Sequence, residues 1–450
     1  MPDGGSDAYP PSGKARLALV VLTLAYVLSS IDRQILSLTV EPMKHDLGLT
    51  DFQVSLLQGL AFAAIYCLSG LPFGRAADQF NRRNIILWGV ASWSVMTSLC
   101  GVARTYVTLF LCRAGVGVGE ATLSPAAYSI LSDYFPPRRL PAAMSFYNLG
   151  PFLGSGLAFI LGGLVLGVTG SGESISILFL HDLRGWQVTF LFVGALGIVI
   201  ILLLALFVDE PPRRMEAVGE HRKASVSETI RFLRKHRRTL GAYFVGLSLL
   251  SIVNNSSMSW YPTMFARNFG EELSRVGLTY GAISIVMSII GNLGGGWCAI
   301  QVAERNYRDP YVRWVLGVAV LVTVTGALVP LVPTLRGTYL ASCVLLMAQS
   351  AWMGSAVAAL HLAVPNRMRA QLTAVLLFGT NIVGMTVGPS GVAALTQFVF
   401  KDPLALRYSL VIVSLVAGSL SVLMLWASLR NFPKLDGEIS GAAAVAQPLV

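Results

Sequence analysis

Apolar segments long enough to cross a bilayer recur twelve times along this chain of 450 residues. About 20 mostly apolar residues span the hydrocarbon core of a membrane as an α-helix. So much apolar surface does not fit inside one water-soluble globule. We therefore expect an all-α membrane protein with twelve transmembrane helices. The predicted spans are residues 16–40, 52–74, 85–104, 106–132, 140–168, 187–208, 239–266, 276–302, 312–332, 337–364, 368–398 and 404–429.

Composition excludes several other classes of protein. Hydrophobic residues make up 54% of the chain and charged residues only 12%, whereas a soluble domain has about 25% charged residues. A disordered chain would be far more polar. The net charge of +10 would suggest nucleic-acid binding in a soluble protein, but that function needs a basic face on a soluble fold. We therefore predict no nucleic-acid partner.

The charges between the spans predict the orientation. If both termini are cytoplasmic, 23 basic residues lie on the cytoplasmic side, 8 lie on the opposite side and 2 lie inside spans. Cytoplasmic loops of membrane proteins carry the excess of Lys and Arg. The same side holds 13 acidic residues, so the whole excess of +10 falls there. We expect a multi-pass protein of a bacterial inner membrane with both termini in the cytoplasm.

A polar segment divides the twelve spans into six and six. Residues 209–238 carry the densest run of charge in the chain, which predicts a basic, amphipathic linker that lies on anionic membrane lipids. The expected organisation is a disordered N-terminus at 1–15, six-helix bundles at 16–208 and 239–430, and a cytoplasmic tail at 431–450.

The two predicted bundles contain a faint internal repeat. Pro136–Arg139 precedes the fifth span and Pro365–Arg369 precedes the eleventh, with their first prolines 229 residues apart. Gly150 and Gly379 lie at the same offset from these prolines. Two related six-helix bundles are typical of alternating-access transporters, so we expect pseudo-symmetric bundles. The alternative is that Gly and Pro are simply common in membrane helices.

Four charged residues lie well inside the predicted spans: Asp32, Arg33, Arg113 and Glu120. A charge at the bilayer centre costs at least about 3 kcal/mol, so such residues usually pair or line a watery cavity. Arg113 and Glu120 are seven residues apart and share a helix face, whereas adjacent Asp32 and Arg33 point about 100° apart. We hypothesise that Asp32 exchanges a proton, with Arg113 and Glu120 as coupled partners. The alternative is a static cluster of salt bridges.

The second bundle offers a contrasting set of candidates without comparable buried charge. An amphiphile with a polar head near Arg33 and Arg113 and an apolar tail against the second bundle would suit this asymmetry. Ordinary helix packing is the alternative for each apolar residue. The candidate cavity residues of the second bundle are Asn254, Asn255, Met258, Trp260, Tyr261, Met287, Gln349, Trp352, Phe378, Asn381 and Met385.

The loop after the second span has a recognisable pattern. Residues 74–83 read GRAADQFNRR, which resembles the G-x-x-x-D-R-x-G-R-R/K loop of the major facilitator superfamily. Asn81 stands where the family prefers Gly, so we expect a tight turn at a residue that tolerates positive φ. Gln79 departs from the usual basic residue. Asp78 is expected to cap a helix or to pair with an arginine. The resemblance implies gating contacts that form and break during opening at Gly74, Asp78, Arg82, Arg83 and Arg138.

Further stretches narrow the resemblance. Tyr26–Leu38, Arg113–Pro125, Ser132–Arg139, Ser145–Gly156, Gly185–Gln187 and Asp209–Arg213 together resemble the Spinster family of lipid transporters. This resemblance covers most of residues 16–215. It implies proton coupling and a lysophospholipid or sphingolipid type of substrate. The predicted substrate contacts are Tyr26, Arg33, Arg113, Glu120, Asn148, Met258, Trp260, Trp352 and Phe378.

Other transporter functions stay open. Organic-anion symporters of the same superfamily also carry an Asp-Arg pair in the first span and Gly-Glu-Ala in the fourth. They would be expected to offer polar groups from both bundles, so the weak polarity of residues 239–430 favours the lipid type of substrate. A multidrug exporter is the third candidate, because Gly150-Pro151 lies in a Gly-rich fifth span.

Functions other than transport have less support. No nucleophile–base pair or metal-ligand spacing is visible among the five histidines and five cysteines, so we predict neither an enzyme nor a cofactor. Gly115–Gly119 lacks the register of a nucleotide-binding loop and is better explained by close helix packing. His361 is interpreted as a packing residue. We expect a monomer, and a scramblase-like or receptor role stays an alternative.

Overall fold

The computed structural model describes residues 9–169, 175–177, 180–213, 225–305, 307 and 309–445. Over these residues the chain forms eighteen α-helices and one two-stranded hairpin. The helices are α1 Ser12–Leu38, α2 Val40–Leu47, α3 Asp51–Gln58, α4 Leu60–Gln79, α5 Arg82–Val102, α6 Tyr106–Glu120, α7 Leu123–Tyr134, α8 Leu140–Tyr147, α9 Gly150–Thr169, α10 Gly185–Phe207, α11 Val226–Lys235, α12 Arg237–Phe269, α13 Leu273–Glu304, α14 Pro310–Leu328, α15 Leu335–Ser350, α16 Met353–Ala363, α17 Arg369–Ala394 and α18 Leu406–Val445.

The helical membrane fold predicted from the sequence is confirmed. By length and composition, ten helical segments within the described residues are able to cross a membrane. The other two predicted spans, 106–132 and 239–266, are helical as well. The first is split between α6 and α7, and the second lies in α12, whose serines and asparagines lower its hydropathy.

The chain divides into two compact units. Unit 1 comprises residues 1–217 and 272–282, and unit 2 comprises residues 218–271 and 283–450. In unit 1, α1 packs on α9, and α5 packs on α10. In unit 2, α12 packs on α17, and α14 packs on α18. The first span therefore pairs with the fifth, and the third with the sixth, in the same order within each unit, which supports the internal repeat.

Several spans are interrupted near their middle. The predicted span 140–168 is one of them, because α8 ends at Tyr147 and α9 begins at Gly150. Pro151 has no N–H for the preceding turn and is tolerated at the start of a helix. Similar interruptions separate α3 from α4, α6 from α7, and α15 from α16. At the last of these, the indole N–H of Trp314 donates to the carbonyl oxygen of Ala351 at 3.3 Å.

The structure corrects three local expectations. Residues 12–15 begin α1, so the predicted N-terminal disorder does not extend to them, while residues 1–8 lie outside the described part. The strands β1 Ile175–Ile177 and β2 Leu180–Leu183 form an antiparallel hairpin that the sequence did not predict. Helix α18 continues to Val445, beyond the predicted span.

The predicted linker contains a capped helix. Residues 214–224 lie outside the described part of the chain. Ser225 accepts from the backbone N–H of Glu228, and the Glu228 carboxylate accepts from the backbone N–H of Ser225. This reciprocal arrangement satisfies two N–H groups that a helix start leaves unpaired. The helix that follows, α11, ends on Arg234 and Lys235, and basic side chains there suit the helix dipole.

Candidate functional site

Asp32, Arg33, Arg113 and Glu120 lie together in unit 1, and we call them the charged cluster. Two of the four belong to one turn of α1. Ser29 and Arg33 are four residues apart and therefore lie on one face of the helix. Asp32 points to another face and is fully buried, whereas 21% of the Arg33 side chain is exposed. Adjacent residues of one helix thus place one charge inside the unit and the other at an accessible edge.

Arg33 forms an ion pair with α6. Its Nε lies 3.0 Å from Oε2 of Glu120, a side chain that is fully buried. The Ser29 hydroxyl donates to the same oxygen at 2.6 Å, and Nη2 of Arg33 donates to the Ser29 hydroxyl at 2.9 Å. Ser29, Arg33 and Glu120 therefore form a closed network around Oε2 of Glu120, while Oε1 of Glu120 is buried without a hydrogen bond of normal geometry.

Arg113 and Asp32 are bound less completely. Nη1 of Arg113 donates to the backbone carbonyl of Asp32 at 3.1 Å, rather than to its carboxylate. Among the described residues, Nε and Nη2 of Arg113 and both carboxylate oxygens of Asp32 are buried without a hydrogen bond of normal geometry. Thr97 of α5 lies beside this carboxylate. These polar groups have paid for removal from water without full compensation, a condition typical of functional sites.

One aromatic ring lies near both arginines. The Cζ atoms of Arg33 and Arg113 lie 5.6 Å and 5.7 Å from the ring centroid of Phe62, within the range of cation–π attraction. Tyr66, one turn along α4, lies 5.6 Å from Arg33 Cζ as well. Neither aromatic residue was predicted from the sequence, because an aromatic in an apolar span is indistinguishable from ordinary packing.

The glycine run of α6 permits this arrangement. A Cβ atom added at Gly117 would lie 2.8 Å from the backbone oxygen of Phe62, and one at Gly119 would lie 2.8 Å from Trp93. Contacts this short leave no room for a side chain, so α6 approaches α4 and α5 closely only with glycine. The run serves helix packing, in agreement with the sequence interpretation.

A group of tyrosines lies near Arg33, and Tyr26 and Tyr147 belong to it. Tyr26 stacks on Tyr147 with ring centroids 4.8 Å apart, and Tyr128 meets Tyr147 edge-on at 5.3 Å. The Tyr128 hydroxyl donates to Oδ1 of Asn148 at 2.7 Å. The structure thus brings the predicted residues Tyr26 and Asn148 together through Tyr128 and Tyr147, which the sequence analysis did not select.

Unit 2 places its candidate residues in two different environments. Trp260 and Trp352 are buried in the core, and the Trp260 indole N–H donates to the carbonyl of Pro389 at 3.0 Å. Their burial removes both indoles from the surface that a ligand reaches in this structure. Phe378 is 42% exposed, and Met258 is partly exposed.

The polar candidates of unit 2 bond mainly within the bundle. Asn254 donates to the carbonyl of Gln349 at 3.3 Å, and Gln349 donates to the Ser257 hydroxyl at 2.7 Å. His361 lies 2.8 Å from the Thr373 hydroxyl, which fits the predicted packing role. Among the described residues, the charged side chains buried to more than nine-tenths all belong to unit 1.

The loop between α4 and α5 differs from its predicted conformation. Asn81 has φ −64° and caps α5 by accepting from the backbone N–H of Asn84, so the expected positive φ is wrong. Gly74 lies inside α4 with no described atom within 4 Å of an added Cβ. Asp78 is exposed on the last turns of α4 rather than capping a helix.

Arg82 is the buried centre of this region. Its guanidinium pairs with the Asp133 carboxylate and donates to Oε1 of Glu210 at 2.7 Å and to the carbonyl of Pro211 at 2.9 Å. The backbone N–H of Arg83 donates to the other Glu210 oxygen at 2.9 Å. Arg138, by contrast, is exposed. Glu210 therefore attaches the segment that follows α10 to this loop, and Asp133 of α7 attaches to the same arginine. Neither acidic residue was predicted from the sequence.

The chain is similar to known membrane transporters. The family model described as Major Facilitator Superfamily matches residues 22–389. A curated "MFS-type efflux pump" of Mycolicibacterium smegmatis is 28% identical over 86% of this chain and 86% of its own length. "Protein spinster homolog 1" of Xenopus tropicalis is 27% identical, and the match covers 69% of this chain and 60% of that protein.

A solved structure is similar over almost the whole chain. The crystal structure of a bacterial homologue of the human lysosomal transporter Spinster, in an inward-facing and unoccupied conformation, superposes with a TM-score of 0.84. The two sequences are 26% identical, and the match covers 95% of this chain and 99% of that one.

Proposed function

Because the chain belongs to the major facilitator superfamily, we propose that it is a proton-coupled secondary transporter of an amphiphilic, lipid-like anion or zwitterion. Its relatives and its fold are those of multi-pass membrane transporters. One observation carries the finer proposal: a buried charged cluster in unit 1 has an accessible arginine at one edge and an uncompensated carboxylate behind it.

The polar head is assigned to the accessible edge. Arg33 is the one of the four clustered charges with an exposed side-chain fraction of about a fifth, and Tyr26 lies near it in a group of contacts that extends to Tyr128 and Asn148. A guanidinium donates well-directed hydrogen bonds to a carboxylate or a phosphate. Within unit 2 taken by itself, the apolar candidates Met258, Met385 and Phe378 are at least partly exposed, as contact with an acyl tail would require.

The proton is assigned to Asp32. With all four residues ionised, the cluster is neutral, so protonation of Asp32 leaves it with one excess positive charge. An anionic head at Arg33 offsets that charge, and uncompensated charge is costly in a low-dielectric interior. Proton and anion therefore bind together, which makes the proposed transport a symport. Arg113 is buried beside Asp32 and near Phe62. Its positive charge interacts with both the proton site at Asp32 and the head site at Arg33.

Uptake into proteoliposomes tests this proposal. The chain is reconstituted and offered a lysophospholipid or a small carboxylate, with and without an inward proton gradient. We expect the gradient to drive lysophospholipid accumulation and Asp32→Asn to abolish the response to the gradient. Arg305→Gln, which alters an exposed charge in unit 2, serves as the control. A full response to the gradient in Asp32→Asn would contradict the assignment of the proton.

Export of apolar compounds is the second candidate. The similarity to a mycobacterial efflux pump and the start of α9 at Gly150-Pro151 favour it. The same liposomes distinguish the candidates when they are loaded with a hydrophobic cation. Extrusion of that cation, without lysophospholipid uptake, would replace the lipid proposal. Accumulation of the small carboxylate alone would instead indicate an organic-anion symporter.

A further inference from the structure

A cavity of unit 1 lies apart from the charged cluster. It has a volume of about 720 Å³ and lies between the first turns of α1, the segment that follows α7 and the first turns of α8. Leu19, the cavity residue furthest along α1, is ten residues from Ser29, or about 15 Å along the helix. Residues that characterise its lining are Tyr9, Arg16, Leu19, Phe135, Arg139 and Phe146.

The charge of this cavity favours an anion. Arg16 and Arg139 both line it and both are exposed, and its lining contains no acidic side chain. The acidic residue beside it, Asp209, pairs with Lys14 at 3.2 Å. Nε of Arg16 donates to the carbonyl of Ser12 at 3.2 Å, a bond that uses one of the three guanidinium nitrogens. Two guanidiniums in a lining without acidic side chains suit one phosphate group.

The opposite part of the cavity is apolar. Leu19, Ala142, Ala143 and Phe146 extend from the arginines along the first turns of α1 and α8, where both predicted spans begin. Arginine and aromatic residues at the end of a span are typical of the membrane interface. A ligand that fills this cavity therefore has an anionic head and an apolar chain that continues into the bilayer.

We propose that this cavity binds an anionic phospholipid of the surrounding membrane as a bound, non-transported ligand. The phosphate lies between Arg16 and Arg139, and an acyl chain lies along Leu19 and Phe146. The site shares no side chain with the proposed transport site. It holds whether or not the transported substrate is itself a lipid.

Native mass spectrometry of the delipidated protein tests the site. The full chain is titrated in detergent with dioleoyl phosphatidylglycerol or with dioleoyl phosphatidylethanolamine. We expect phosphatidylglycerol to bind more tightly, and the double variant Arg16→Gln/Arg139→Gln to lose about thirtyfold in its affinity, since each interfacial arginine contributes about fivefold. Arg305→Gln, the matched exposed control, is expected to change the affinity less than twofold.

A second variant separates the lipid from a free anion. Ala142→Trp places a large side chain on the apolar wall and keeps both arginines, so it is expected to weaken phosphatidylglycerol binding. Equal binding of the two lipids, an equal loss in Arg305→Gln, or full binding by Ala142→Trp would each overturn the proposal. Competition by inorganic phosphate at the concentration of the lipid would do the same, because the site would then be one for a phosphate without a chain.

Discussion

The two units contain similar helix pairs but hold them together with different groups. Unit 1 buries six charged residues to more than nine-tenths, whereas the described part of unit 2 buries none to that extent. In unit 2, neutral side chains bond to carbonyls of other helices. Examples are Ser251 to Thr380 at 2.7 Å, Ser421 to Gly246 at 2.6 Å and Tyr243 to Ala356 at 2.8 Å.

This difference separates a functional requirement from a structural one. The neutral bonds of unit 2 show that helices of this fold pack and satisfy their polar groups without buried charge. The charges of unit 1 are therefore not needed to assemble such a bundle, and their cost is consistent with a role in function. The two units differ in their helix interruptions as well. Among the described spans, three are interrupted in unit 1 and one in unit 2.

Removal of Glu120 is expected to have the largest effect on stability. Glu120→Ala leaves Arg33 without its carboxylate, and breaking a buried ion pair costs about 3–5 kcal/mol. Thermal unfolding in detergent measures the loss. The double variant Glu120→Ala/Arg33→Met is expected to recover much of it, because no charge is left unpaired. If the single variant were as stable as Asn255→Ala in unit 2, the buried ion pair would contribute no more to stability than a neutral hydrogen bond.

Substitution of a glycine in each unit is expected to have opposite effects. Gly117→Ala brings a Cβ to 2.8 Å from the Phe62 carbonyl, and overpacking of this kind costs about 1–3 kcal/mol. Gly296→Ala in α13 meets no described atom within 4 Å and is expected to stabilise its helix by about 0.5–1 kcal/mol. Urea or thermal unfolding compares them. Equal behaviour of the two variants would mean that close packing does not distinguish α6.

Replacement of Phe62 tests the smallest of these differences. Phe62→Leu keeps an apolar side chain but removes two cation–π contacts, each contributing about 0.5–1 kcal/mol. Phe265→Leu in unit 2 removes an equally buried ring that stacks on Tyr339 at 4.5 Å. Both variants are expected to lose some stability, but only Phe62→Leu is expected to weaken substrate affinity in the uptake assay. Equal affinities would show that Phe62 is a packing residue only.

Much of the fold could be predicted from the sequence because span length and hydropathy are local properties. The helix interruption before Gly150-Pro151 is also a local property, since proline acts on its own turn. The capped turn at Asn81 was not predicted, because its conformation depends on a side-chain contact with Asn84 rather than on the glycine that the loop pattern suggests.

The sequence by itself determined which charges lie inside the membrane spans and which unit carries them. Only the tertiary structure decided their partners. It pairs Arg33 with Glu120, leaves both Asp32 carboxylate oxygens without a hydrogen bond of normal geometry, places Phe62 near both Arg33 and Arg113, and joins Arg82 to Glu210. Helical periodicity assigns a residue to a face of its own helix. Which face of a distant helix it meets depends on how close the helices pack, and in α6 that distance is set by glycines that carry no charge at all.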